Sequence, residues 1–209
     1  MLGQLRSFLK PLFSLLAKPL VALKISPMWV TLLGVPFAVA CAHAYARQDW
    51  GWALGLLVLA TIWDAVDGTV ARGQGKSSLW GNYFETMIDK LVEIIIFIGL
   101  AVVVPLAAIA ALGFGLWSSY AKPRVGLVII TDNRDWPAIG EHADKLVILF
   151  VATLGAVLDP SNGPKLIEYG LWVIALVSFI GALQRMHYAH GLILEAQKKG
   201  TVLPYLKKG

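Results

Sequence analysis

The chain has 209 residues, 57% of them hydrophobic and only 15% charged, with a mean hydropathy of +0.69 and a formal net charge of +5. A soluble domain carries about 25% charged residues, so the composition excludes an ordinary soluble globule. The positive charge then reads as membrane topology and not as nucleic-acid binding. The single cysteine, Cys41, excludes a disulfide framework and a thiolate metal site, and it reads as a small packing residue in a helix.

Residues 2–20 set Arg6, Lys10 and Lys18 among Leu5, Leu9, Leu12, Phe13, Leu16 and Leu20. This pattern predicts a basic amphipathic helix in the interface plane, interrupted or ended by Pro11 and Pro19. Lysines break its apolar run and no small-residue cleavage site follows, so it is not expected to be a cleavable signal peptide. Six apolar stretches follow, each long enough to cross the hydrocarbon. They are 27–46, introduced by Ser26-Pro27; 50–70; 79–104, closed by Pro105; a fourth running to about residue 130; 139–158; and 166 to about 192. The expected architecture is an all-α integral membrane protein of one domain, 1–209, with an interfacial helix over 1–24 and a six-span bundle over 25–209.

An inside N-terminus with six spans puts both termini on one side. That side receives fourteen of the eighteen lysines and arginines, and the other receives Arg47 and Lys165. The bias predicts cytoplasmic termini. Trp29, Trp50, Trp52, Trp80, Trp117, Trp136 and Trp172 fall near the ends of spans, as an interfacial aromatic belt would.

Against this apolar background stand four carboxylates, Asp64, Asp67, Glu85 and Asp89. Asp64 and Asp67 are three apart, Glu85 and Asp89 four apart, so on a helix each pair shares a face. A charge inside a span costs at least about 2.5 kcal/mol. Four acids in such a setting need a compensating positive charge, and a divalent cation with oxygen ligands is the simplest one. Gly68, Ala71 and Gly81 are small residues that let helices approach or leave room for a ligand against the backbone.

The stretch Asp64-Ala-Val-Asp-Gly-Thr-Val-Ala-Arg72, followed after eight residues by Gly81-Asn-Tyr-Phe-Glu-Thr-Met-Ile-Asp89, resembles the CDP-alcohol phosphotransferase family. The family motif is D-x-x-D-G-x-x-A-R, eight residues, then G-x-x-x-D-x-x-x-D. One fixed position departs from it: Glu85 stands where the family has Asp. The extra methylene moves the carboxylate by roughly 1.5 Å, and Mg²⁺ is strict about octahedral geometry. The departure therefore bears on the choice of metal.

The resemblance implies a membrane enzyme that transfers a phosphate-linked group from a CDP-alcohol to a polar alcohol and releases CMP. The donor would be CDP-diacylglycerol or its archaeal ether counterpart, CDP-archaeol. It implies Mg²⁺ or Mn²⁺, as two ions, held by Asp64, Asp67 and Glu85. Asp89 would be the base and a further metal contact. Asp64, Asp67, Gly68, Ala71 and Gly81 would line the nucleotide pocket, and Arg72 would pair with a phosphate. Thr31, in Pro27-Met-Trp-Val-Thr31, matches the last position of a Pro-Asn-x-x-Thr motif found near the nucleotide; the other reading is a hydroxyl bonded back to its own helix. Lys122, Arg124, Arg185 and His142 resemble positions that hold a phosphorylated acceptor such as inositol phosphate or glycerol phosphate. Where the family has arginine, His142 forfeits a bidentate contact, so a neutral or zwitterionic acceptor such as serine or inositol stays open. The resemblance further implies a homodimer in a prokaryotic cell membrane, with its active site facing the cytoplasm.

Two rival readings exist: a cation transporter and a non-catalytic relative of the family. Transport predicts internal symmetry, and residues 105–209 hold no counterpart of the acidic helix pair.

Overall fold

Long runs of Leu, Ala, Val and Ile, punctuated by Pro, Ser, Asp and Gly, give seven α-helices among the described residues of the computed structural model. These are α1 (Leu2–Ala22), α2 (Pro27–Ala46), α3 (Trp50–Gly73), α4 (Leu79–Val103), α5 (Pro105–Val125), α6 (His142–Leu158) and α7 (Gly163–Lys199). The structure describes residues 2–129, 136 and 138–203; the side chains of residues 2–10, 12, 64 and 65 lie outside that description. Arg134, Lys207 and Lys208, and the side chains of Arg6 and Lys10, are thus outside the described residues. Among the described residues there is no β-strand, only an isolated bridge between Ile129 and Val202.

The helix ends have local causes. Pro27 opens α2, where its missing N–H costs nothing. The Ser78 hydroxyl caps α4 by accepting the Gly81 N–H at 3.0 Å. At the start of α6, Asp144 reaches back to accept the Glu141 N–H at 3.1 Å, the return half of a capping box. Among the described residues, four helices end in the same paired-bond closure. After α1, Lys24 and Ile25 donate to Val21 and Leu20; after α2, Gln48 and Asp49 donate to Tyr45 and Ala44; after α3, Gly75 and Lys76 donate to Arg72 and Ala71; after α7, Gly200 and Thr201 donate to Gln197 and Ala196. The left-handed residues of these closures are Lys24, Gln48, Gly75 and Gly200.

The expected helices are present, with four boundary corrections. α1 runs through both Pro11 and Pro19, because Phe13, Ala17, Leu20 and Val21 pack on Val30, Ile62, Val66 and Val70 and hold it together. α5 stops at Val125, where turn bonds from Leu127 and Val128 take over. α6 starts at His142 instead of residue 139, because Gly140 has φ +73°. α7 continues to Lys199, well past residue 192. Among the described residues, three stretches, α2, α3 and 160–199, are long and apolar enough to cross a membrane. α4 has the length but carries Glu85, Asp89, Lys90 and Glu93, and α6 has only 17 residues. Trp29, Trp52 and Trp80 are exposed as a belt requires, whereas Trp50 and Trp136 are buried core residues.

The chain forms two compact units. The first comprises residues 1–105 and 150–167, the second residues 106–149 and 168–209. In the first, α2 is the central helix. Its Cys41 is fully buried, with Sγ 3.5 Å from the Ala53 carbonyl. The Tyr45 hydroxyl bonds Thr153 at 2.6 Å. Gly99 of α4 sits directly on the α2 backbone: a Cβ there would lie 2.2 Å from the Ala42 carbonyl oxygen. The second unit is cored by Val125, Ile129, Trp136, Ala189 and Ala196. In it Gly140 and Gly181 bring the 139–140 segment against α7.

Gly99→Ala should therefore destabilise the protein by about 1–3 kcal/mol, as overpacking does, and lower its thermal midpoint in detergent by several degrees. Gly55→Ala, where a Cβ meets nothing within 4 Å, is the control. Equal midpoints for the two variants would show that α2 and α4 are not in backbone contact.

Candidate functional site

A cavity of about 390 Å³ opens within the first unit, where the start of α2, the end of α3 and the start of α4 meet. Ser26, Pro27, Met28 and Thr31 come from α2 and its N-cap. Asp67, Gly68, Ala71 and Arg72 come from α3. Lys76, Ser77 and Ser78 come from the connecting turn, and Gly81, Asn82, Phe84 and Glu85 from α4. The tight turn at Gly75 makes this convergence possible, since it reverses the chain immediately after α3. A further tie comes from Gln74, whose side-chain N–H donates to the Ile25 carbonyl at 2.8 Å and pins the α1–α2 linker to the end of α3.

The carboxylate best defined in the cavity is Asp67, only 2% exposed. Its Oδ2 accepts the Thr31 hydroxyl at 2.6 Å, and its Oδ1 accepts the N–H of Gly68. Glu85 is half-buried on the α4 wall. Arg72 is exposed; it donates to the Thr69 hydroxyl at 3.3 Å and lies across Gly68, where an added Cβ would come within 3.3 Å of its guanidinium. Gly68 thus lets the arginine fold down over the α3 backbone. Gly81 has a similar steric reason: a Cβ there would lie 3.1 Å from Ser78 Oγ and crowd the α4 cap.

Of the residues expected around the nucleotide and metal, Thr31, Asp67, Gly68, Ala71, Arg72, Gly81 and Glu85 line this one cavity. Asp89 is half-buried one turn farther along α4 and is not part of the lining. The side chain of Asp64 lies outside the described residues. Among the described residues, no three His, Cys, Asp or Glu side chains cluster as a metal site. Nonetheless Asp67 and Glu85 facing one polar cavity are hard oxygen donors of the type that Mg²⁺ and Mn²⁺ take, and they fit such a cation. Lys90, next to Asp89, and the buried Glu93 one turn farther along form an ion pair at 2.8 Å, which compensates one more charge in the apolar part of α4.

Sequence reasoning missed Ser26, Pro27, Met28, Lys76, Ser77, Ser78, Asn82 and Phe84 as lining residues. Ser78 carried a legible signal, as a capping residue before an apolar helix.

The second unit holds the remaining candidates. Arg185 of α7 is 9% exposed. Its Nη1 donates to the Ser118 carbonyl at 2.8 Å and lies 3.3 Å from the Ser118 hydroxyl, while Nη2 is 3.8 Å from Glu141 Oε1. Its Nε is buried without a partner among the described residues. Lys122 is half-buried and Arg124 exposed in the last turn of α5, and His142 is half-buried at the first position of α6.

A family model described as CDP-alcohol phosphatidyltransferase matches residues 24–180. The chain is 30% identical over 197 residues to a phosphatidylinositol phosphate synthase of Streptomyces avermitilis, covering 87% of this chain and 79% of that one. It is 26% identical over 199 residues to an archaetidylinositol phosphate synthase of Pyrococcus horikoshii, covering 90% and 96%. In fold it is similar to Mycobacterium tuberculosis phosphatidylinositol phosphate synthase in two crystal structures. The one with CDP-DAG bound has a TM-score of 0.74 at 21% identity and covers 85% of this chain and 92% of that one. The one in complex with manganese and citrate has a TM-score of 0.73 at 22% identity and covers 85% and 88%.

Proposed function

The chain belongs to the CDP-alcohol phosphatidyltransferase family, and we propose that it transfers the phosphatidyl-type group of a CDP-linked lipid to a hydroxyl of inositol phosphate, releasing CMP. The observation that carries this reading is the single cavity into which the motif residues Asp67, Gly68, Ala71, Arg72, Gly81 and Glu85 converge. The relatives named above are synthases of inositol phosphate lipids with diacylglycerol-type or archaeol-type tails. The donor is accordingly CDP-diacylglycerol or CDP-archaeol.

Asp64, Asp67 and Glu85 hold the cation in this reading. A bound Mg²⁺ or Mn²⁺, or a pair of them, offsets the charge of the diphosphate and of the departing CMP. Gly68, Ala71 and Gly81 form the walls for the nucleotide, and Arg72 donates to a phosphate oxygen. Asp89 takes the proton from the acceptor hydroxyl as that oxygen bonds to phosphorus and the bond to CMP breaks. Arg185, with Lys122, Arg124 and His142, binds the phosphate that the acceptor already carries. The Nε of Arg185, buried and without a partner among the described residues, supports an anionic ligand over a neutral one.

The bundle is read as six spans, with α1 in the interface, both termini and the cavity on the cytoplasmic side of a prokaryotic membrane, and two copies per molecule. The lysine and arginine bias and the apolar outward faces of the helices support this arrangement.

The direct test is CMP release from CDP-diacylglycerol or CDP-archaeol by purified protein with Mg²⁺ or Mn²⁺ and a panel of inositol phosphate, glycerol phosphate, inositol and serine. Release that depends on inositol phosphate and is abolished by EDTA is expected; equal release with free inositol would overturn the choice of acceptor. Asp89→Asn should remove turnover while leaving CMP binding measurable, and near-normal turnover would exclude it as the base. Glu85→Asp, which restores the common motif, should stay active and shift the Mg²⁺/Mn²⁺ preference; an inactive variant would count against Glu85 as a metal ligand. Arg185→Ala should raise the KM for inositol phosphate about tenfold or more, in keeping with one lost charge-assisted hydrogen bond, with the KM for the donor little changed. An equal rise for both substrates would make Arg185 a purely structural residue tying α7 to Ser118.

A further inference from the structure

We infer that Thr31 is a positioning residue for Asp67: its hydroxyl fixes the carboxylate in the orientation in which it ligates the cation. The inference rests on the metal-dependent reading above and deepens it. The observations are all on the α2–α3 contact. Thr31 is 7% exposed, Asp67 is 2% exposed, and 36 residues separate them in sequence, yet hydroxyl and carboxylate oxygens are 2.6 Å apart. A threonine hydroxyl has one proton to donate. Within its own helix that proton could go to the Pro27 carbonyl, 3.2 Å away. The shorter distance to the carboxylate, a charged acceptor, identifies Asp67 as the principal recipient.

The geometry of Asp67 completes the argument. One oxygen accepts Thr31 and the other accepts the N–H of Gly68, so both ends of the carboxylate are pinned. Each carboxylate oxygen can take two partners, and Thr31 and Gly68 supply one to each. Pinning by second partners is what orients metal-ligating side chains generally, and its loss typically costs about 10- to 100-fold in metal affinity. Threonine suits the role better than serine, because β-branching restricts χ1 in a helix and so limits where the hydroxyl can point. The support for Thr31 is itself braced: Gln74 at the end of α3 bonds the Ile25 carbonyl, two residues before α2 begins. Thr31 also lines the cavity, so a direct nucleotide contact is the competing role that the test must separate.

The experiment uses the purified full chain in detergent. Mn²⁺ affinity is measured by electron paramagnetic resonance titration, and CMP affinity is measured separately in EDTA. Thr31→Val should weaken Mn²⁺ about tenfold or more, with CMP affinity in EDTA unchanged. Thr31→Ser should stay within about threefold of the native protein on both. Thr31→Ala, which removes the hydroxyl without adding bulk, should repeat the Val result if the Val variant unfolds. Unchanged Mn²⁺ affinity in both Val and Ala variants would overturn the inference. A loss of CMP affinity in EDTA that matches the loss for Mn²⁺ would also overturn it, since Thr31 would then contact the nucleotide. Asp67→Asn separates this outcome from failure of the underlying reading. If that variant binds Mn²⁺ like the native protein, Asp67 is not a ligand, and both the metal assignment and the role of Thr31 fall together.

Discussion

A carboxylate withdrawn from water inside an apolar bundle must be compensated, and the first unit is arranged around that constraint. Asp67 is nearly inaccessible, yet it borders a polar cavity and carries donors on both oxygens. The surrounding geometry supplies the means. α3 must end abruptly so that the chain can return along α4, and the closure at Gly75 does this within five residues. α2 must bring its first turns against the end of α3, and Gln74 with Ile25 secures it there.

The second unit meets a similar constraint with a cation. Arg185 is buried in an otherwise apolar helix, and its guanidinium is satisfied mainly by a backbone carbonyl of α5. A carbonyl neutralises no charge. Among the described residues, the acid within reach of the guanidinium is the exposed Glu141, at 3.8 Å. A positive charge arranged this way is suited to an anion that comes and goes, whereas a tight buried ion pair such as Lys90–Glu93 holds its partner permanently.

Much of this was legible in the sequence because it was written in periodicity and charge. The extents of α2, α3 and α4 follow from apolar runs bounded by Pro27, Asp49 and Ser78. The motif residues of the cavity are visible because acids and small residues at helical spacing are conspicuous against leucine and valine. What escaped was what depends on three-dimensional context. Lys24 and Gln48 adopt the left-handed conformation usually left to glycine, at a steric cost of about 1–2 kcal/mol each, so neither announces a helix end. Pro11 and Pro19 looked like breaks, but burial of one face of α1 against α3 outweighs the missing backbone bonds. Trp50 and Trp136 looked interfacial because position along a span does not reveal which way an indole points. The Thr31–Asp67 bond joins residues 36 apart, and only the packing of α2 on α3 brings them together.

The glycines of the bundle differ sharply in what surrounds them, and this bears on how the chain can change over descent. At Gly99, Gly163 and Gly181 an added carbon would lie within 2.4 Å of atoms of a neighbouring segment. At Gly51, Gly55, Gly113 and Gly191 it would meet nothing within 4 Å. Alanine can therefore enter the second set without a clash inside the chain, and it adds helix propensity there. At the first set any step requires a simultaneous change in the partner, so those positions act as fixed points about which the remaining sequence diverges.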